Sequence, residues 1–415
     1  MGYMSAPSTQ PVSTDHRSAS RIRFVLILGG LTAFGPLSID MYLPAFPSIA
    51  GDLHAPESQV QLTLTACVLG LAIGQVVAGP LSDTFGRRRP LLVGLVIYAL
   101  LSVLCALAPS APLLAAGRFL QGVGGAAGIV IARAAVRDLY SGIELARFFS
   151  MLMLVNGIAP ILAPVIGSQL LNFTSWRGVF FLLAAFGALL LIVTALLLPE
   201  TLPASRRAPG SLRGTLRVYR SLLADRMFVG YLLACGLFFA ALFTYISAGS
   251  FVLQDLYGLS PGEFSAVFAV NSVGLVLAGQ LNGRLVGRVA PRKLLGIALG
   301  IALVGTAGLV AATTAHLGLT AILPPLFVTV VNIGVVMPNS TALALTNYPN
   351  SAGSASALLG VGQFVFGGLA APLTGLVSSD SAIPMAVIMA VLAVAAMLAF
   401  LFVARAPRGE PQPAS

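Results

Sequence analysis

The sequence predicts an all-α membrane protein of twelve transmembrane helices, arranged as two pseudo-symmetric six-helix bundles. Three observations predict it. Charged residues make up 9% of the 415 and hydrophobic residues 57%, whereas a soluble domain carries roughly 25% charged residues. The mean hydropathy is +0.95, and the apolar stretches are separate and mostly near the length that crosses a hydrocarbon core of about 30 Å. Segments on either side of a central arginine-rich stretch repeat each other.

The predicted spans lie near 22–45, 60–79, 91–109, 112–132, 147–171 and 178–199 in the first half. The second half gives 227–249, 261–284, 293–313, 319–341, 353–377 and 382–404. Span 1 is too long for a cleaved signal peptide, lacks a small-residue cleavage site and carries Asp40, so it is expected to remain. Residues 1–21 and 405–415 read as polar cytoplasmic tails, 22–199 and 227–404 as the two bundles, and 200–226 as a cytoplasmic linker.

The net charge of +10 could indicate a nucleic-acid partner, but its distribution argues against one. With the N-terminus inside, 21 of the 23 basic residues fall in the tails and in alternate loops on one side. This is the pattern of cytoplasmic loops. It predicts a multi-pass protein of the plasma membrane with both termini cytoplasmic. Cys67, Cys105 and Cys235 all fall in spans at spacings that match no metal motif. No cofactor is expected, and no histidine cluster or Ser–His pair suggests an enzyme; His16, His54 and His316 lie in a tail or near loops.

The internal echo is specific. Val76 to Ser82 matches Val276 to Asn282, and Ala163 to Gly167 on span 5 matches Ala371 to Gly375 on span 11. Six-span repeats with a substrate site between them at mid-membrane are a transporter architecture. The 44 glycines and 26 prolines suit it, because small residues let helices approach and prolines bend them.

Two ionisable residues, Asp40 and Arg118, sit well inside the predicted spans, at depths of roughly 8 and 9 Å from one face at 1.5 Å per residue. A charge in such a place is costly and reads as functional, although a structural ion pair is the alternative. Asn156, Asn271, Asn332, Asn339 and Gln363 could line a cavity or hydrogen-bond between helices, Tyr42 and Gln121 are further candidates for its wall, and Phe238, Phe239, Phe243 and Tyr245 could form an aromatic side. Between spans 2 and 3, Gly79, Asp83, Gly86, Arg87 and Arg88 suggest close helix contact, a tight turn and an anchored acid; Asp138 could pair with Arg87 or Arg88.

That stretch, Gly79 to Pro90, resembles the loop 2–3 signature of the major facilitator superfamily. Arg118 to Ala126, which includes Gln121, resembles the span 4 signature of its proton-coupled members. Gly157 to Ser168, with Pro160, Pro164 and Gly167, resembles the antiporter signature of span 5, although Ser168 stands where a second glycine is usual. Ser38 to Pro47, with Tyr42 in it, and Ala352 to Gly360 resemble the Bcr/CflA group of drug–proton antiporters. The resemblance implies the major facilitator fold and a monomer that exports small drug-like molecules, of the chloramphenicol or bicyclomycin type, in exchange for protons. It also implies that Asp40 and Arg118 serve proton coupling. Gly283 replaces the acid in the second-half copy of the loop signature, so an acid-dependent latch is expected in the first half. The alternatives are a sugar or metabolite carrier of the same fold, or a non-transporting membrane sensor.

Overall fold

A computed structural model describes residues 24–140, 142–207, 212–348, 352–376 and 381–404. The two predicted tails lie outside the described residues. Among the described residues, eleven helices are long and apolar enough to cross a bilayer, and a bent pair supplies a twelfth. Span 1 is that pair, Phe24–Thr32 and Phe34–Asp52. Spans 2 to 6 are Glu57–Phe85, Arg88–Ala106, Ala111–Leu139, Gly142–Leu171 and Trp176–Leu197. Spans 7 to 9 are Arg226–Phe251, Pro261–Leu285 and Pro291–Thr314. Span 10 is Leu319–Val331 with Ile333–Leu345, span 11 is Ala352–Ala370, and span 12 is Ile383–Leu398. In the linker, Leu212–Ala224 is a helix. It seats Leu222 in the core of the second bundle and leaves Arg217 and Arg220 exposed.

The surface is apolar where a soluble protein would be polar. Val93, Val96, Leu100 and Leu104 are exposed along one stripe of span 3, and Val387, Val391, Val394 and Leu398 along one stripe of span 12. Spacings of three and four residues place each set on a single helix face. In lipid these faces need no cover. Only helices, which satisfy their own backbone hydrogen bonds, suit that environment alongside closed barrels.

Proline sets the bends of span 1. Pro36 has no N–H and its ring crowds the carbonyl four residues earlier, that of Thr32. The helix breaks at Ala33, and the two pieces meet at 40°. Pro44 stands in the same relation to Asp40, where the second α-helical piece ends. Asp40 therefore occupies a helix terminus and not a helix interior.

The two bundles touch near the end of the molecule away from the Arg87–Arg89 turn. The Ser250 hydroxyl donates to the Leu43 carbonyl at 2.6 Å, and the Gln254 amide to that of Pro44 at 3.2 Å. Ser265 donates to the Pro164 carbonyl at 2.9 Å, and Thr65 to that of Gly368 at 3.0 Å. The chain is thus drawn together at the arginine-poor end.

Spans 2 and 4 form the tightest helix pair of the first bundle. A Cβ on Gly122 would stand 2.2 Å from the Cys67 carbonyl oxygen, and one on Gly70 would stand 2.0 Å from that of Phe119. These are backbone neighbours that cannot yield. Gly122→Ala is expected to lower the melting temperature of the purified protein by several degrees, as overpacking of about 1–3 kcal/mol would. Gly283→Ala, where a Cβ meets nothing within 4 Å, should not lower it and, by removing a glycine from a helix, should raise it slightly. Equal melting temperatures for the parent and Gly122→Ala would contradict this packing.

Candidate functional site

Between the bundles lies a cavity of about 350 Å³. Span 1 contributes Thr32, Gly35, Pro36, Ile39 and Asp40 to its wall; spans 2, 4 and 5 contribute Gln75, Ile129, Arg133, Asn156 and Pro160. The second bundle supplies an aromatic side built from Phe239, Phe243, Tyr245, Phe268 and Phe364, with Asn271 and Gln363 beside them. The ring centroids of Phe239 and Phe243 are 5.1 Å apart. Asn271 donates to the Tyr245 hydroxyl at 3.0 Å, and Gln363 to the Cys235 sulfur at 3.2 Å. Phe238, the neighbour of Phe239, instead packs into the core of the second bundle. A mostly apolar wall with a few fixed polar groups is the usual composition of a small-molecule pocket.

Asp40 is 5% exposed, and among the described residues no hydrogen bond or ion pair reaches its carboxyl. It is the sole carboxyl on the described wall.

Arg118 lies elsewhere. It is fully buried inside the first bundle and does not line the cavity. One guanidinium nitrogen donates to the Ser38 carbonyl at 2.5 Å and another to Gln121 Oε1 at 2.6 Å. The Gln121 amide passes the chain on to the Ser102 hydroxyl at 2.6 Å. The guanidinium carbon stands 4.2 Å from the centre of the Tyr42 ring and 5.5 Å from that of Phe180, within reach of cation–π attraction. The Ser38 carbonyl is one of the last four of its helix, which lack a helical donor; the arginine takes the place of the missing N–H. Ser38 and Asp40 are two residues apart on that helix, so they face different sides. This separates the two charges although they lie at similar depth.

Tyr42 and Gln121, expected on the cavity wall, therefore belong to the arginine's enclosure. Asn332 and Asn339 are also off the wall: Asn332 donates to the Val328 carbonyl of its own helix at 2.7 Å, at the break between the two pieces of span 10, and Asn339 is buried and donates to Asn282 Oδ1 on span 8 at 2.6 Å. Asn156, Phe239, Phe243, Asn271 and Gln363 are on the wall. Of the span 5 motif, Pro160 lines the cavity, the Pro164 carbonyl accepts the bond across the bundles, and Gly157 packs near Val276. A Cβ at Gly167 would fall 1.8 Å from the Met41 carbonyl oxygen, so this glycine admits the broken part of span 1.

The loop 2–3 motif is mostly helix. Span 2 continues to Phe85, and only Gly86 and Arg87 separate it from span 3. Gly86 has φ +87°, a conformation that suits glycine. Arg87 Nε donates to Asp138 at 2.9 Å, while its Nη1 reaches Ser82 and Asp83 at 2.7 and 2.5 Å. Arg88 instead reaches the Ala195 carbonyl on span 6. Gly79 lies on span 2 near Val130.

Two further residues carry roles that sequence reasoning misses. Glu200 closes the turn by accepting the backbone N–H groups of Arg87 and Arg88 at 2.8 and 3.2 Å, at the positive end of span 3. An acid just beyond span 6 is the available signal. Arg133 falls in a cytoplasmic loop when span 4 is ended at 132; the helix runs to Leu139, and Arg133 lines the cavity.

Burial acts to raise the Glu200 carboxyl, but the N–H groups of Leu202, Arg87 and Arg88, with the Arg207 guanidinium, hold it below the usual glutamate range. A group so depressed stabilises the fold above its unfolded value, and that contribution fades as pH falls through the folded one. Glu200→Gln should therefore melt below the parent at neutral pH, with the gap closing below about pH 4. A gap independent of pH would contradict the assignment.

The sequence profile of the Major Facilitator Superfamily matches residues 28–372. The "Uncharacterized MFS-type transporter YdgK" of Bacillus subtilis is 44% identical over 92% of this chain and 95% of its own length. The "Bicyclomycin resistance protein homolog" of Haemophilus influenzae is 33% identical over 93% and 97%. The "Multidrug resistance protein MdtL" of Salmonella heidelberg is 32% identical over 82% and 85%. Among solved structures, a D-xylose-proton symporter superposes with TM-score 0.74 at 18% identity over 95% of this chain and 100% of its own. A mutant form of the nucleoside transporter NupG gives 0.76 at 13% over 93% and 100%; at such identities these two show the fold. With eleven spans and one bent pair among its described residues, and the profile match across most of its length, the chain belongs to the Major Facilitator Superfamily.

Proposed function

We propose that this transporter exports small, largely apolar drug-like compounds across the plasma membrane in exchange for protons. The observation that carries the reading is the unpartnered Asp40 carboxyl on the wall of a cavity whose opposite side is aromatic. Such a group can take up and release a proton, and its affinity for it depends on whether water or substrate fills the cavity. The names of the relatives support drug export, since one is a bicyclomycin resistance protein homolog and another a multidrug resistance protein. The arginine-rich face is the cytoplasmic one by the positive-inside pattern, so the cavity faces the cytoplasm here. Alternating access then requires the contacts between Leu43 and Ser250 and between Pro164 and Ser265 to part while the arginine-rich ends close.

Arg118 acts at one remove. It holds the Ser38 carbonyl, two residues from Asp40, and so positions the end of the helix that carries the acid. The Asp83–Arg87–Asp138 cluster and Glu200 stiffen the cytoplasmic turn as the bundles rock. With one carboxyl and a neutral cargo, each proton entering at 100 mV supplies about 2.3 kcal/mol, sufficient for roughly a fifty-fold gradient before any pH difference is added.

Inside-out vesicles energised by a proton gradient test the reading, with chloramphenicol and bicyclomycin as first compounds. The parent should accumulate a compound against its gradient, and Asp40→Asn should only equilibrate it. Proton-driven accumulation by Asp40→Asn would refute the coupling role. Failure of the parent to move any drug-like compound would favour a metabolite carrier.

A further inference from the structure

Span 4 carries three arginines. Arg118 is sealed inside the first bundle, and Arg137 lies over the Phe149 ring at 5.9 Å. Arg137 is exposed but off the cavity wall, whereas Arg133 is exposed and lines the cavity, and among the described residues no hydrogen bond, ion pair or ring contact engages it. It stands fifteen residues beyond Arg118, about 22 Å along the helix. Side chains on a helix lean toward its N-terminus, and the N-terminus of span 4 is at the arginine-poor end. The Arg133 stem is thereby aimed back into the membrane and the cavity. Gln75 on span 2 also reaches the wall. The cavity is thus polarised: the Asp40 carboxyl lies deeper, the Arg133 guanidinium lies nearer the arginine-rich end, and aromatic rings run along one side.

We propose that Arg133 is a specificity-determining residue that receives an anionic or strongly hydrogen-bond-accepting group of the cargo. The compounds taken would be aromatic or otherwise apolar bodies bearing a carboxylate, sulfonate or similar acceptor, and permanent cations would be disfavoured. A guanidinium offers a planar fork of donors that matches such groups, and a cation in a cleft raises the local concentration of anions. Exchanging an exported anion for an entering proton also moves two charges with the potential, so an inside-negative membrane favours that cargo. The inference rests on the export reading only in treating the bound compound as cargo.

The probes are anilinonaphthalenesulfonate and phenylnaphthylamine, which share a ring system and differ by the sulfonate. Equilibrium dialysis against the purified full chain in neutral detergent, without a proton gradient, measures both. The parent should prefer the sulfonate. Arg133→Gln should weaken sulfonate binding about tenfold, the loss expected for a charge-assisted hydrogen bond, and leave the neutral compound unchanged. Arg133→Lys should retain part of the preference, and Arg288→Gln, an exposed change outside the cavity, all of it. Added salt should weaken sulfonate binding to the parent selectively, a check that needs no variant. The same sulfonate-to-neutral ratio in parent and Arg133→Gln, or no sulfonate binding by the parent, would overturn the inference. Arg133-dependent binding in dialysis with no uptake in vesicles would leave this inference standing and remove the export reading instead.

Discussion

The bond between the Arg118 guanidinium and the Ser38 carbonyl organises the first bundle. A cation sealed in an apolar interior must be surrounded by acceptors or it will not stay. Here the acceptors are a backbone carbonyl freed at a helix end, an amide and an aromatic face. A broken helix needs a donor for its orphan carbonyls, and a buried arginine needs acceptors. Each solves the other's problem. The break exists because Pro44 cannot bond to Asp40, and Gly167 leaves the room that the displaced backbone occupies. The acid is thereby held at the end of a short helical piece, facing the space between the bundles.

The two halves share a fold and divide the chemistry. The first bundle holds the cavity's charges, Asp40 and Arg133, and the ionic cluster at the turn after span 2. The second supplies rings and amides. Its own counterpart turn has Gly283 where the first has Asp83, and that position faces open space. Repetition of the six-span unit kept the architecture, while the ionic latch is developed in one copy. Asp225 caps span 7 instead, accepting from the Met227 N–H at 2.8 Å and from the Tyr348 hydroxyl.

The spans are legible in the sequence because lipid imposes length and composition on each of them, and the loop arginines because topology depends on their side. Pro36 and Pro44 can be read as bends, but where the freed carbonyls turn cannot. That depends on Arg118, eighty residues away. Equal depth brings Asp40 and Arg118 together on paper; helical rotation between Ser38 and Asp40 keeps them apart. Tyr42 and Gln121 are misplaced for the same reason, since polarity within a span says that a side chain needs a partner and not which one. Arg133 is lost by ending span 4 at residue 132, just before this second arginine. A helix of 29 residues extends about 43 Å, well past the hydrocarbon, and its side chains lean back toward the cavity. The aromatic wall is only partly visible: Phe239 and Phe243 stand one turn apart on one face, whereas Phe268 and Phe364 come from other helices.

The central claim is that Asp40 releases or takes up a proton as the cavity fills. Proton release in weakly buffered solution, recorded as substrate is mixed with the purified protein, tests it most directly. The account predicts a pH change on substrate addition to the parent and none for Asp40→Asn, provided that the variant still binds. An equal change from both proteins, or binding by the parent with no proton exchanged, would contradict it.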